Sequence, residues 1–241
     1  MNHVKAHEQR PRILIIPDEA IGDANGKDQE AEYRVRSNYA RAVSNAGGLP
    51  LIIPHQHECM DAALRLADGI LITGTLPGVL AQPGRLAFEE QLVTSALAQS
   101  VPVLGICHGM QLLGQCLGGR LLEEMPDTGN VRIDHNPRSV PDEAAHLITL
   151  AARSELNGGD TEVEIAVNSL HSHTLVGPGR FRVIARSPDG IIEAIAGESS
   201  AFCLGVQWHP EYQLTHLDRE LMARFVAACS ARSRARQRVQ K

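Results

Sequence analysis

The chain has no uninterrupted apolar stretch near the roughly 20 residues of a membrane-spanning helix, and its opening, MNHVKAHEQRPR, lacks the apolar centre of an export signal. Both absences lead to the expectation of a soluble, cytoplasmic protein. Positive charge is not in excess: 23 Lys and Arg stand against 28 Asp and Glu, a formal net charge of −5. That balance gives no electrostatic case for nucleic acid or an anionic membrane as partner, and leaves a small-molecule ligand open. A disulfide framework is missing too. The five cysteines, Cys59, Cys107, Cys116, Cys203 and Cys229, are odd in number and scattered, and no C-x-x-C pair suggests zinc. Neither an internal repeat nor a long linker divides the 241 residues, so one domain over 1–241 is expected, with flexible ends at about 1–10 and 232–241. The Arg-rich tail SARSRARQRVQK reads as a solvated, frayed end.

What the first half does contain is alternation. RILIIP (12–17), LPLIIP (49–54), GILITG (69–74) and VPVLGI (101–106) are short Ile/Val/Leu runs without polar alternation, the pattern of strands buried on both faces. Segments of helical period lie between them. EAEYRVRSNYARAVSNAGG sets Tyr33, Val35, Tyr39 and Val43 near one face, and CMDAALRLAD and LAFEEQLVTSALAQS follow the same logic. Alternation of this kind predicts an α/β fold with a mostly parallel sheet, right-handed crossovers and a ligand site beyond the carboxyl ends of the strands. In the second half, EVEIAVNSL, RFRVIARS, GIIEAIAG and AFCLGVQW are short strands separated by turn residues, some of them antiparallel, and an amphipathic helix over about 215–231 follows.

One cysteine stands apart. In VPVLGICHGMQLL, Cys107 lies between Gly105 and Gly109 where a strand gives way to a helix. A nucleophile elbow needs small residues two positions to either side of its nucleophile, because the turn is sharp and strained. The helix that follows points its N-terminal dipole at the sulfur and favours the thiolate. The other four cysteines sit at no such turn and read as packing residues.

A cysteine nucleophile needs a base, and the base needs an orienting group. In GVQWHPEY, Pro210 restrains the chain so that His209 and Glu211 project to the same side, and the Glu211 carboxylate can accept the imidazole N–H. Cys107, His209 and Glu211 together indicate acyl transfer through a thioester. An oxyanion hole would draw on the backbone N–H of His108 and on the loop after GILITG, at Gly74 and Thr75. His135 and His146 fall in no interpretable spacing and read as structural.

These residues resemble the class I glutamine amidotransferase-like family and, within it, the peptidase C26 group of γ-glutamyl-γ-aminobutyrate hydrolases. NYARAVSNAGGLPLIIP, ADGILITG, PVLGICHGMQLLGQCLGGRL, VNSLHSH, SPDGIIEAI and LGVQWHPE carry the resemblance, which covers nearly the whole chain. It implies a flavodoxin-like, mostly parallel central sheet flanked by helices, with a small antiparallel region in the second half. It also implies Cys107 as nucleophile, His209 as base and acid, Glu211 as orienting carboxylate, and Gln111, Asn168, Ser169 and His171 as residues that hold or border the γ-glutamyl group. A homodimer is a further implication. No metal or organic cofactor is implied, since the thiolate and backbone dipoles carry the chemistry. Two segments depart from the family pattern: TLPGVLAQPGRLAFEE lacks the usual loop with its aspartate and tyrosine, and VNSLHSH has Ser172 and His173 where a histidine and a glutamine are usual. The leading expectation is a stand-alone γ-glutamyl amide hydrolase. The alternatives are a glutaminase subunit that delivers ammonia to a synthase, and a non-catalytic module that kept the fold.

Overall fold

Ile13 and Ile15 of the first apolar run pack on one face of a sheet, while Leu14 and Ile16 pack on the other. A strand that loses both faces to the core has no use for polar alternation, which is why the run has none. The structure, a computed structural model, describes residues 10–21, 31–75, 83–126, 132–137, 141–199 and 201–239. The elements run β1 (Arg12–Ile16), β2 (Asp18–Ile21), β3 (Ala31–Arg34), α1 (Ser37–Asn45), β4 (Leu49–Ile52), α2 (Met60–Leu66), β5 (Gly69–Ile72), α3 (Pro83–Ala98), β6 (Val103–Ile106) and α4 (His108–Cys116). The second half adds β7 (Arg120–Leu122), β8 (His146–Leu150), β9 (Val163–Val167), β10 (Thr174–Val176), β11 (Phe181–Arg186), β12 (Ile192–Gly197), β13 (Cys203–Val206) and α5 (His216–Val239).

A nine-stranded sheet in the order β4-β1-β5-β6-β13-β12-β11-β8-β9 is the frame. Its first five strands are parallel and the remaining four antiparallel, with β13 joining the two halves through parallel pairing to β6 and antiparallel pairing to β12. One face carries residues of α1 and α5, including Tyr39, Val43, Leu221 and Phe225. The other carries residues of α2, α3 and α4, including Leu64, Leu92, Met110 and Leu113. Each fully buried Leu, Ile or Phe among them contributes about 1.5–3 kcal/mol of transfer free energy, so both faces are needed. This is the α/β architecture that the motifs implied, a parallel sheet flanked by helices and continued by an antiparallel region.

Three expectations are corrected. The run 49–54 is not buried on both faces: β4 is an edge strand of the large sheet, and Leu49 and Ile52 are exposed. Tyr33 and Val35 are not on a helix: residues 31–34 form a strand paired antiparallel with β2, and helix α1 begins at Ser37. Cross-strand pairing outcompetes a helical period carried by only two apolar residues, and Tyr33 remains exposed. The C-terminal tail does not fray at 232. Helix α5 continues to Val239 because its arginines have partners: Arg232 donates to the carbonyls of Gln99 and Ser100, and Arg236 to Arg65 O, Ala67 O and Asp68. At the other end, residues 1–9 of the expected flexible N-terminus lie outside the described residues, as do 76–82 of the TLPGVLAQPG segment.

Candidate active site

Three parallel strands deliver the site. Thr73 and Gly74 follow β5, Cys107 follows β6 and His209 follows β13 by a short extension, so all four stand at the carboxyl edge of the sheet. Cys107 adopts φ 52°, ψ −105°, a region that side-chain-bearing residues rarely occupy. The strain is held from several sides. Cys107 N donates to Val206 O at 2.8 Å, and Gln111 N donates to Cys107 O at 3.1 Å. Gly105 supplies the space: a Cβ there would lie 2.3 Å from Gly109 O, so only glycine lets the helix return this close to the strand. The cysteine side of the elbow thus stands as the sequence pattern requires, with the residue 8% exposed.

His209 sits opposite. Its Nδ1 lies 2.8 Å from Glu211 Oε1, so Nδ1 carries the proton and Nε2 is left for the substrate side. Asn168 fixes its backbone: His209 N donates to Asn168 Oδ1 at 2.8 Å, and Asn168 Nδ2 donates to His209 O at 3.2 Å. A Cβ on Gly74 would be 3.0 Å from His209 Cε1 and 3.3 Å from Cys107 Cβ, so the two side chains converge on one glycine. Burial by itself lowers the His209 pKa, but the charges of Glu211 and of the Cys107 sulfur outweigh it and raise the imidazole well above its usual range. The imidazolium form of His209 is the state this environment favours.

Around the pair lies a cavity of about 460 Å³, whose lining includes Tyr39, Gly74, Cys107, Gln111, His173 and His209. Gln111 lies on its floor, where Nε2 donates to Gln207 Oε1 (3.1 Å) and His173 O (3.2 Å). Thr75 and His108 line the cavity as well. The Gly74 amide, an expected oxyanion donor, donates here to the Tyr39 hydroxyl at 3.0 Å. Neither Asn168 nor Ser169 lines the cavity: the first holds His209, and the second donates from Oγ to His135 O at 2.6 Å. His171 borders it, while its Nδ1 lies 3.1 Å from His173 O and its Nε2 3.7 Å from Glu193.

Three contributors escaped the sequence reading. Gln207, the residue just past β13, places its Nε2 3.5 Å from Cys107 Sγ. Tyr39, read only as a core residue, turns its hydroxyl into the site; burial and then the Glu211 charge push its pKa well above the usual value. Beneath the cavity, Arg85 is fully buried between Asp18 and Glu89, and Glu89 holds the His108 ring at 2.7 Å. Burial alone would raise the Glu89 carboxyl, yet His108 and Arg85 lower it. The Arg85–Glu89 spacing of i, i+4 on a predicted helix was the available signal.

Comparison with known proteins gives a consistent picture. The peptidase C26 family matches residues 11–211. The γ-glutamyl-γ-aminobutyrate hydrolase PuuD of Escherichia coli K12 is 30% identical over 233 residues, covering 87% of this chain and 91% of the relative. The glutamine amidotransferase-like protein RP404 of Rickettsia prowazekii is 28% identical over 259 residues, covering 85% and 92%. Among solved structures, a glutamine amido transferase from Methylobacillus flagellatus superposes with a TM-score of 0.53 at 16% identity, covering 92% of this chain and 93% of that one. A Thermoplasma acidophilum protein described as a candidate GMP synthase component gives 0.66 at 16% identity, covering 95% and 99%.

Proposed function

The chain belongs to the peptidase C26 family and is a hydrolase, and from that premise we propose that it cleaves the γ-amide bond of a γ-glutamyl amine, such as γ-glutamyl-γ-aminobutyrate, to glutamate and free amine. The observation that carries the reading is the meeting of Cys107 and His209 at Gly74, with His209 fixed by Glu211 at 2.8 Å. In this reading the Cys107 thiolate attacks the γ-carbonyl, an S–C bond forms, and the charge passes to the carbonyl oxygen. The first turn of α4 presents the His108 amide, which has no intrahelical partner, to that oxygen. Gly74 can join only when its amide leaves the Tyr39 hydroxyl, which makes Tyr39 a gate on the second donor.

Collapse breaks the C–N bond, and the His209 imidazolium gives its proton to the departing amine. A thioester on Cys107 is left. Water then attacks it, His209 takes the water proton, and the S–C bond breaks to release glutamate. Gln111 is the residue placed to hold the glutamyl portion, and Gln207 positions the sulfur. Asn168 and Ser169 act through His209 and the cavity wall. All five cysteines are unpaired, in keeping with a reducing cytoplasm.

Glutamate release from γ-glutamyl-γ-aminobutyrate, other γ-glutamyl amines, γ-glutamyl peptides and glutamine, with Cys107→Ala as control, tests the proposal. Turnover of a γ-glutamyl amine with glutamine poor supports it. Activity on glutamine alone, or only after a partner protein is added, would replace it with an ammonia-delivering glutaminase.

A further inference from the structure

Behind the cavity wall, three histidines and a glutamate from four separate segments face one another. His135 belongs to the segment 132–137, His146 opens β8, His171 follows β9 and Glu193 lies in β12. One potential ligand atom from each lies within 4.8 Å of the other three. The side chains are between 0% and 4% exposed.

Hydrogen bonding satisfies the far side of every ring and leaves the near side open. His135 Nε2 meets Asp189 Oδ2 at 2.9 Å, His146 Nδ1 meets Leu147 O at 3.0 Å, and His171 Nδ1 meets His173 O at 3.1 Å. Each partner is an acceptor, so each of those nitrogens carries a proton, and in the neutral ring the opposite nitrogen presents a lone pair. Those opposite nitrogens are the converging ones. His135 Nδ1, His146 Nε2, His171 Nε2 and both Glu193 oxygens are buried with no hydrogen-bond partner among the described residues. Three lone pairs and a carboxylate aimed into one buried space repel one another unless a cation lies among them.

The distances agree. His135 Nδ1, His146 Nε2 and His171 Nε2 lie 3.4, 3.5 and 3.7 Å from Glu193 Oε1. These are long for N–H···O bonds, whose usual range ends near 3.2 Å. They are close to the edge of a tetrahedron around zinc, about 3.3–3.4 Å for metal–ligand bonds of roughly 2.0–2.1 Å. The outer hydrogen bonds are of the kind that orient metal-bound imidazoles, and Asp189 is itself held by Ser187 Oγ at 2.6 Å.

We propose that His135, His146, His171 and Glu193 form a closed, four-ligand site for a divalent transition-metal ion, zinc by its nitrogen-rich tetrahedral set, with a structural role. Four protein ligands leave no open coordination position for chemistry. What the ion would fix is the cavity wall. His135 O accepts from Ser169 Oγ and from His171 N at 3.0 Å, and the carbonyl of His173 accepts from both His171 and Gln111. The segment 168–173, which holds His209 at one end and Gln111 at the other, is thereby pinned to β8 and β12. This inference stands apart from the substrate assignment.

The test is elemental analysis of the full chain, purified without a histidine tag or chelator and passed through gel filtration. One zinc per chain is expected, with Cys107→Ala retaining it in full, which excludes the catalytic pair as the binding place. Cobalt exchange should give the visible d–d bands of a tetrahedral ion. Asp189→Asn, which leaves all four ligands intact, should weaken zinc binding about 10–100-fold, and Glu193→Gln should abolish retention. The proposal is overturned if folded wild-type protein contains no metal and takes up none of zinc, cobalt or nickel when offered. It is also overturned if Cys107→Ala loses the ion, or if folded Glu193→Gln keeps it.

Discussion

Replacing Gly105 by alanine tests the elbow without touching a reacting group. The added Cβ would lie 2.3 Å from Gly109 O, 2.5 Å from Gly109 C and 2.7 Å from Met110 N. All three are backbone atoms of the first turn of α4, so no rotamer relieves the clash. Ordinary contact would require that turn to retreat by roughly 1 Å. Overpacking of this kind costs about 1–3 kcal/mol where side chains can yield, and a backbone obstacle puts this case at the upper end. Near 3 kcal/mol, the midpoint of thermal unfolding should fall by roughly 6–12 °C for a chain of this length. A displacement of about 1 Å at the nucleophile should lower kcat/KM by about 100-fold. Circular dichroism melting and glutamate release measure the two effects. Gly84→Ala is the control, because nothing lies within 4 Å of its Cβ on helix α3, and a gain of roughly 0.5–1 kcal/mol is expected there. An unchanged melting temperature and full activity in Gly105→Ala would refute the packing of α4 on β6 as described. A lower melting temperature with full activity would show that the thiol does not depend on the elbow.

Cys107→Ala should abolish turnover and trapping of the acyl-enzyme by mass spectrometry while leaving the circular dichroism spectrum unchanged; a residual rate above about 1% of wild type would contradict a thioester route. Glu211→Gln should reduce kcat less than His209→Ala does. Because the Glu211 charge raises the His209 pKa, its removal should also move the alkaline limb of the kcat profile, where the imidazolium is lost, to lower pH. An alkaline limb that stays in place would show that Glu211 does not set the charge of His209. Asn168→Ala removes the acceptor for His209 N and a donor to His209 O, leaves a buried amide unpaired, and should cost about 1–3 kcal/mol of stability. Its kcat should fall with KM little changed, and a rise in KM alone would instead make Asn168 a substrate contact. Gln111→Ala should show the opposite split, KM rising more than kcat falls.

The legible parts of this molecule are those encoded over short spans. Three of the four unalternating apolar runs became β1, β5 and β6, where burial on both faces leaves a mark in nearly every residue, while the fourth became the edge strand β4 with Leu49 and Ile52 exposed. Gly105-Ile106-Cys107-His108-Gly109 and His209-Pro210-Glu211 are equally local, and their geometry could be expected residue by residue. What was not legible is assembled across distance. The β2–β3 hairpin joins residues that also fit a helical period. Helix α5 extends because Arg232 and Arg236 find carbonyls more than 130 positions away, which an Arg-rich tail does not announce. The histidine cluster draws on positions 135, 146, 171 and 193, with no two ligands at a recognisable spacing.

The same contrast explains how the site is built. Residues 107 and 209 are brought together by one pairing: β13 lies parallel beside β6, with Gly205 opposite Gly105 and Val206 opposite Ile106, so the proposed nucleophile and base leave neighbouring strands at the same edge. That junction is also where the parallel half of the sheet ends and the antiparallel half begins. The proposed chemistry therefore rests on the boundary strand, while residues 170–173, which follow β9 of the antiparallel half, line the cavity. Substitutions in β5 and β6 should act on the rate of acyl transfer. Substitutions at Ser172 and His173 should act on which amine is released, because both line the cavity and depart from the family pattern.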